Sequence, residues 1–120
     1  MALVGIDHVQ VAAPAGSEGD ARRFFGQLLG LPEIEKPPEL RAQGGAWFSL
    51  GAQQLHIGIQ EPFTPAVKAH PALRVEKGTL ADLAARLSDA GEAVIWDEAL
   101  PGVRRFYTVD PWGNRIELLE

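Results

Sequence analysis

The chain has 120 residues, 46% of them apolar, with no cysteine and a formal charge of −5. That is enough for one domain, residues 1–120, and it excludes disulfides and thiolate metal ligands. Acidic residues outnumber basic ones, and adjacent cations occur only at Arg22–Arg23 and Arg104–Arg105, which argues against a nucleic-acid partner.

No run approaches the ~18 apolar residues of a membrane span, so no membrane partner is expected. The stretch MALVGIDHVQ has neither the basic region nor the apolar run of a secretory signal, and a cytoplasmic location is expected.

In chain order, GIDHVQVAAP alternates Val9 and Val11 with His8, Gln10 and Ala12, the period of a half-buried strand that Pro14 closes. Ser17 and Asp20 have the spacing of a helix start. Ala21, Phe24, Phe25, Leu28 and Leu29 then recur at three and four, an amphipathic stripe that Gly30 ends. From Pro32 to Pro38 the chain reads as extended, with a short strand at Glu33–Glu35 and a helical turn at Glu39–Gln43. Gly44–Gly45 breaks it, AWFSL makes a strand, and GAQQ turns into QLHIGIQ. There Leu55, Ile57 and Ile59 alternate with His56, Gly58 and Gln60.

EPFTPAVKA, with two prolines and no apolar period, reads as a connector. The order then begins again. HPALRV is a strand led by His70, Thr79 is placed to cap a helix, and Leu80, Leu83, Ala84 and Leu87 form its stripe up to Gly91. EAVIW, RRFYTV and RIELL are strands, the last two joined by the turn DPWGN. The α+β chain is thus β-α-β-β-β written twice, with module one at about 3–60, the connector at about 61–69 and module two at about 70–120.

The three histidines fall on this repeat. His8 and His70 lead the first strand of each module, His56 lies on the fourth strand of module one, and Glu117 matches it in module two. His8 and His56 are 48 residues apart, and His70 and Glu117 are 47 apart. Alternation also turns His56 and Glu117 away from the apolar face. Imidazole and carboxylate suit divalent zinc, nickel, cobalt, manganese or iron(II), so a metal held by His8, His56, His70 and Glu117 is expected.

Other residues have two readings each. Tyr107 shares a strand face with Arg105 and Val109. If that face lines a site, Tyr107 contacts a substrate oxygen and Arg105 holds an anionic group; otherwise Tyr107 is core and Arg105 is surface. Trp47, on the corresponding strand of module one, lines a pocket or fills core. Lys36 and Arg41 form a rim or a solvated loop, and Trp112 is an exposed turn aromatic suited to a dimer contact. Gly58 leaves room next to His56.

GIDHVQV, FFGQLLGLP and FYTVDPWGNRIELLE together resemble the vicinal oxygen chelate superfamily. That group includes glyoxalase I, extradiol dioxygenases, fosfomycin-resistance thiol transferases and bleomycin-resistance proteins. The resemblance covers essentially the whole chain. It implies a U-shaped half-barrel sheet around a central cavity that holds a divalent metal, with helices outside. It also implies a homodimer in which modules pair within one chain or between two.

The resemblance supports His8, His70 and Glu117 as ligands. Where glyoxalase I has a ligand glutamate on the fourth strand of module one, this chain has His56. The implied function is a metal-dependent lyase or isomerase of glyoxalase type, acting on a small substrate chelated through vicinal oxygens, with Glu117 as ligand and base. Two alternatives stand beside it. One is an extradiol dioxygenase-like or thiol-transferase-like enzyme using His8, His70 and Glu117, with His56 facing substrate. The other is a drug-binding protein of bleomycin-resistance type that does no chemistry.

Overall fold

A computed structural model describes residues 2–120. The chain divides into two units, Met1–Thr64 and Pro65–Glu120. Each is one four-stranded mixed sheet with a helix, so the tandem β-α-β-β-β plan read from the sequence is the fold.

In unit 1 the strands are β1 (His8–Ala13), β2 (Glu33–Ile34), β3 (Ala46–Leu50) and β4 (Gln53–Ile59), in the sheet order β1-β4-β3-β2. β1 runs parallel to β4, and the other pairs are antiparallel. The apolar residues of the alternating runs bury on one face: Val11, Ala13, Ala46, Phe48, Leu55 and Ile57 are all in the core. Ala21, Phe24 and Phe25 join them from the helix, with the Phe25 and Phe48 rings 6.0 Å apart.

The helix departs from expectation in its winding. After α1 (Glu18–Ala21), residues Arg22–Leu28 form a π-helix, and the Leu29 N–H bonds to the Phe24 carbonyl at 2.9 Å. Wider winding narrows the angle between neighbouring side chains, which lets the adjacent Phe24 and Phe25 both reach the sheet. Ser17 does not cap: its side chain makes no cap hydrogen bond, and its buried hydroxyl has no partner among the described residues. Gly30 does end the helix at positive φ. A short α2 (Pro38–Arg41) follows β2.

Gly45 shows why the chain needs glycine ahead of β3. It sits at φ +84, and a Cβ there would lie 2.1 Å from the Ile57 carbonyl oxygen. Its N–H donates to the Glu18 carboxylate at 2.7 Å, which holds that acid below its ordinary range.

Unit 2 repeats the plan with β5 (Ala72–Arg74), α3 (Leu80–Asp89), β6 (Ile95–Asp97), β7 (Arg105–Val109) and β8 (Arg115–Leu119), in the order β5-β8-β7-β6. β5 and β8 are parallel. Leu73, Leu80, Ala84, Leu87, Phe106, Ile116 and Leu118 form its core. His70 lies two residues ahead of β5 rather than within it, because Pro71 has no N–H to give the ladder; the Pro71 carbonyl accepts from Glu117 N–H at 3.0 Å. Thr79 likewise makes no side-chain cap, its hydroxyl donating instead to the Glu76 carbonyl at 2.6 Å.

The DPWGN turn is built on buried Asp110. Its carboxylate accepts from Trp112 N–H at 3.1 Å and from Asn114 N–H and side-chain amide, both at 2.8 Å. Asn114 in turn accepts from Ala66 N–H at 2.9 Å, tying the turn to the start of the unit. Trp112 is half-buried, not the exposed ring expected of a turn. Among the described residues no helix is long and apolar enough to cross a membrane.

Candidate functional site

In unit 1 the face opposite the core is ring-rich. β1–β4 pairing sets Gln10 opposite His56, and β3–β4 pairing sets Trp47 on the other side of His56. The Trp47 and His56 rings stack at 4.0 Å with 3° between planes, and His8 stacks on His56 at 4.1 Å and 19°. His56, only 5% exposed, is therefore a histidine pressed between two aromatic faces.

Its ring edge is also partly committed. His56 Nε2 lies 2.9 Å from the Gln54 amide oxygen, an acceptor, which places the hydrogen on Nε2 and the lone pair on Nδ1. Burial, then the neighbouring His8, push the His56 pKa below the ordinary histidine value. His8 Nδ1 lies 2.9 Å from the Asp7 carboxylate, leaving Nε2 of that ring with its lone pair outward. Gly58 does not leave open room next to His56 as expected: the Gln10 amide lies on it, and a Cβ at 58 would meet Gln10 Nε2 at 2.4 Å.

The equivalent face of unit 2 is ionic. Tyr107 pairs with Glu117 as Trp47 pairs with His56, and Ala72 pairs with Glu117 as Gln10 pairs with His56. His70 and His8 each stand two residues before those partners, so the repeat holds at the level of register. His70 Nε2 is 2.9 Å from Glu117 Oε1, and His70 Nδ1 is 2.9 Å from the Lys68 carbonyl oxygen. Glu117 is 5% exposed. Arg105 donates to Glu117 Oε2 at 3.4 Å and to Asp97 at 3.2 Å. Asp97 is held below its ordinary range, first by the Ala99 N–H and also by Arg105.

Tyr107 is buried, yet on this polar face and not in the core. Its ring stands edge-on to His70 at 5.4 Å, with the Arg105 guanidinium 5.5 Å away and that of Arg115 at 3.8 Å. Arg115 and Gln10 were not singled out by sequence reasoning. Their signal was available as strand parity: Arg115 stands two residues from Glu117, and Gln10 two from His8.

Imidazole and carboxylate are donor types that suit a divalent cation. A carbonyl only accepts, so His70 carries its hydrogen on Nδ1, and its Nε2 lone pair then faces a carboxylate at 2.9 Å. His8, fixed by Asp7 in the same manner, offers Nε2. No group of three or more His, Asp or Glu side chains among the described residues is gathered as a ligand set. The structure brings His8 together with His56, and His70 together with Glu117.

No family model and no curated protein matches this chain. Among solved structures it is similar to a glyoxalase family protein from Bacillus anthracis, at 51% identity and TM-score 0.94 over 98% of this chain and 95% of that one. Two more distant structures share its fold. Lactoylglutathione lyase from Agrobacterium tumefaciens is 19% identical with TM-score 0.75, over 100% and 96% of the two chains. A mutant of the fosfomycin resistance protein FosX from Listeria monocytogenes, complexed with Mn(II) and 1S,2S-dihydroxypropylphosphonic acid, is 15% identical with TM-score 0.78, over 98% and 92%.

Proposed function

This chain belongs to the glyoxalase family of the vicinal oxygen chelate superfamily, and from that premise we propose that it is a metal-dependent enzyme of lyase or isomerase type. Its substrate is a small molecule bound through vicinal oxygens, and the working assembly is a homodimer. The observation that carries this reading is the buried Glu117 carboxylate facing His70 Nε2 while His70 Nδ1–H is held by the Lys68 carbonyl.

His8, His70 and Glu117 are the proposed ligands, with His56 as the fourth. Zinc, nickel, cobalt, manganese or iron(II) all suit that set. When bound, such an ion supplies Lewis acidity that steadies negative charge developing on a substrate oxygen. Glu117 takes the proton from the carbon beside that oxygen and returns it to the neighbouring position. Arg105 holds the second Glu117 oxygen, which keeps the carboxylate aimed, and Tyr107 and Trp47 wall the substrate.

One observation favours a second reading. Both faces of the His56 ring are covered and its Nε2 is taken by Gln54. That leaves two histidines and one carboxylate, the set of extradiol dioxygenase-like or thiol-transferase-like chemistry, with His56 Nδ1 turned to substrate.

Elemental analysis of untagged protein is the first test, and about one divalent ion per chain is expected. His70→Ala should lose both the ion and turnover. Methylglyoxal with a thiol, catechols, and fosfomycin with a thiol then sort the branches. Ligand capture that survives chelation, with none of these turned over, would assign the protein to the non-catalytic drug-binding class instead.

A further inference from the structure

Beside Trp47, on the polar face of unit 1, is a cavity of about 170 Å³. Gln10, Lys36, Gln43, Trp47 and Gly58 line it, and Lys36 is its one charged side chain. Lys36 is half-buried and donates from Nζ to the Gly44 carbonyl, which fixes the ammonium at the cavity wall. Its charge also contributes to holding the His56 pKa down, so the field reaches the stacked rings. Glu18, whose carboxylate feels Lys36 as well, is committed to the Gly45 N–H at 2.7 Å.

The two amides are placed for a ligand. Neither the Gln10 nor the Gln43 side chain has a hydrogen-bond partner among the described residues. The Gln10 amide lies on Gly58 because no Cβ is there to exclude it. An ammonium with two movable amides, against an aromatic ring, is an oxyanion receptor, since charge-assisted hydrogen bonds are the strong ones. The volume has room for roughly five heavy atoms, the size of one acid group.

We propose that this cavity binds one compact oxyanion, a carboxylate or phosphonate carried by the substrate, with Lys36 supplying charge and Gln10 and Gln43 the directional bonds. As a substrate subsite it rests on the enzymatic reading above, but its anion affinity does not need the metal donors. The site narrows the substrate class to small oxygenated acids.

The test is a titration of chelator-treated, nitrogen-15-labelled full-length protein with methylphosphonate, acetate and neutral acetamide. The Gln10 and Gln43 side-chain amide signals are followed. Both anions should shift them saturably and acetamide should not. The stronger of the two anions assigns the acid group. Lys36→Gln should weaken the anion about tenfold, the value of one charge-assisted hydrogen bond. Gly58→Ala should abolish the Gln10 response and keep that of Gln43. Absent shifts, equal shifts with acetamide, or an unchanged titration in Lys36→Gln would each overturn the proposal. The same titration separates the two claims: wild-type protein that carries no divalent ion and turns over none of the substrates tried sinks the enzymatic reading, while the anion titration still decides this one.

Discussion

On β4 the cross-strand partner of His56 is Trp47, and on β8 the partner of Glu117 is Tyr107. The backbone positions are the same, yet one pair is a neutral stack and the other the centre of an ion network. In unit 1 His8, His56 and Trp47 stack face to face, and glutamines occupy the neighbouring sites. In unit 2 Glu117 is met by His70 and Arg105, and Tyr107 lies under two guanidinium groups. Register is thus the property the two modules share, while the polar face diverges. The buried carboxylate with its ionic partners belongs to unit 2, and the stacked rings with their neighbouring amides belong to unit 1.

The largest effect should come from removing the acid that distinguishes the two faces. Glu117→Gln keeps the size and one hydrogen-bond acceptor but not the basicity, and turnover should fall by about 10²–10⁴-fold with an unchanged circular dichroism spectrum. Activity near wild type would mean that the base lies elsewhere. Next come the cores, where the units should behave alike. Phe48 and Phe106 are both fully buried on third strands, and each change to Ala should cost about 3–5 kcal/mol in urea denaturation. A clear inequality would show that one core dominates stability.

The stack in unit 1 carries a pH dependence through His56. The His56 pKa is depressed in the folded protein, first by burial, so the unfolded chain takes up this proton more readily. Its contribution to stability is then complete above the ordinary histidine pKa of about 6.5 and is lost as pH falls through that value toward the lower folded one. The melting temperature of chelator-treated protein should decline on acidification, and His56→Phe, which keeps a stacked ring without a titrating group, should flatten the decline. A slope unchanged by that substitution would point to another group.

The smallest effect belongs to Arg115. Its guanidinium covers Tyr107 at 3.8 Å, and Arg115→Met should cost about 0.5–1 kcal/mol of stability for the lost cation–π contact. A loss several times larger would place Arg115 in the ion network.

Much of this was legible because strands expose their pattern at period two. Alternation around His56 and Glu117 put both on the face away from the core, and the 47-residue interval from His70 to Glu117 proved to be a contact. What was not legible depends on packing across strands. Spacing cannot show that His56 would be sandwiched between His8 and Trp47, because stacking depends on rotamers and on a diagonal between strands. It cannot show that Gln10 would settle on Gly58. Arg115 in NRIELL reads as one more surface cation until Tyr107 is seen beneath it. Ser17 and Thr79 have cap chemistry at cap positions, but both helices begin without it.

The π winding of Arg22–Leu28 has an implication for how this chain tolerates change in length. A turn closed over five residues carries slack that an α turn lacks. Deleting one residue there would let the segment relax to ordinary winding, and Leu31 and all that follows could stay where they are. The same deletion within Leu80–Asp89 has no such reserve, because it would swing every later side chain of that helix by about 100°. Descendants of this sequence that shorten by a single codon should therefore do so in the first module's helix and spare the second's.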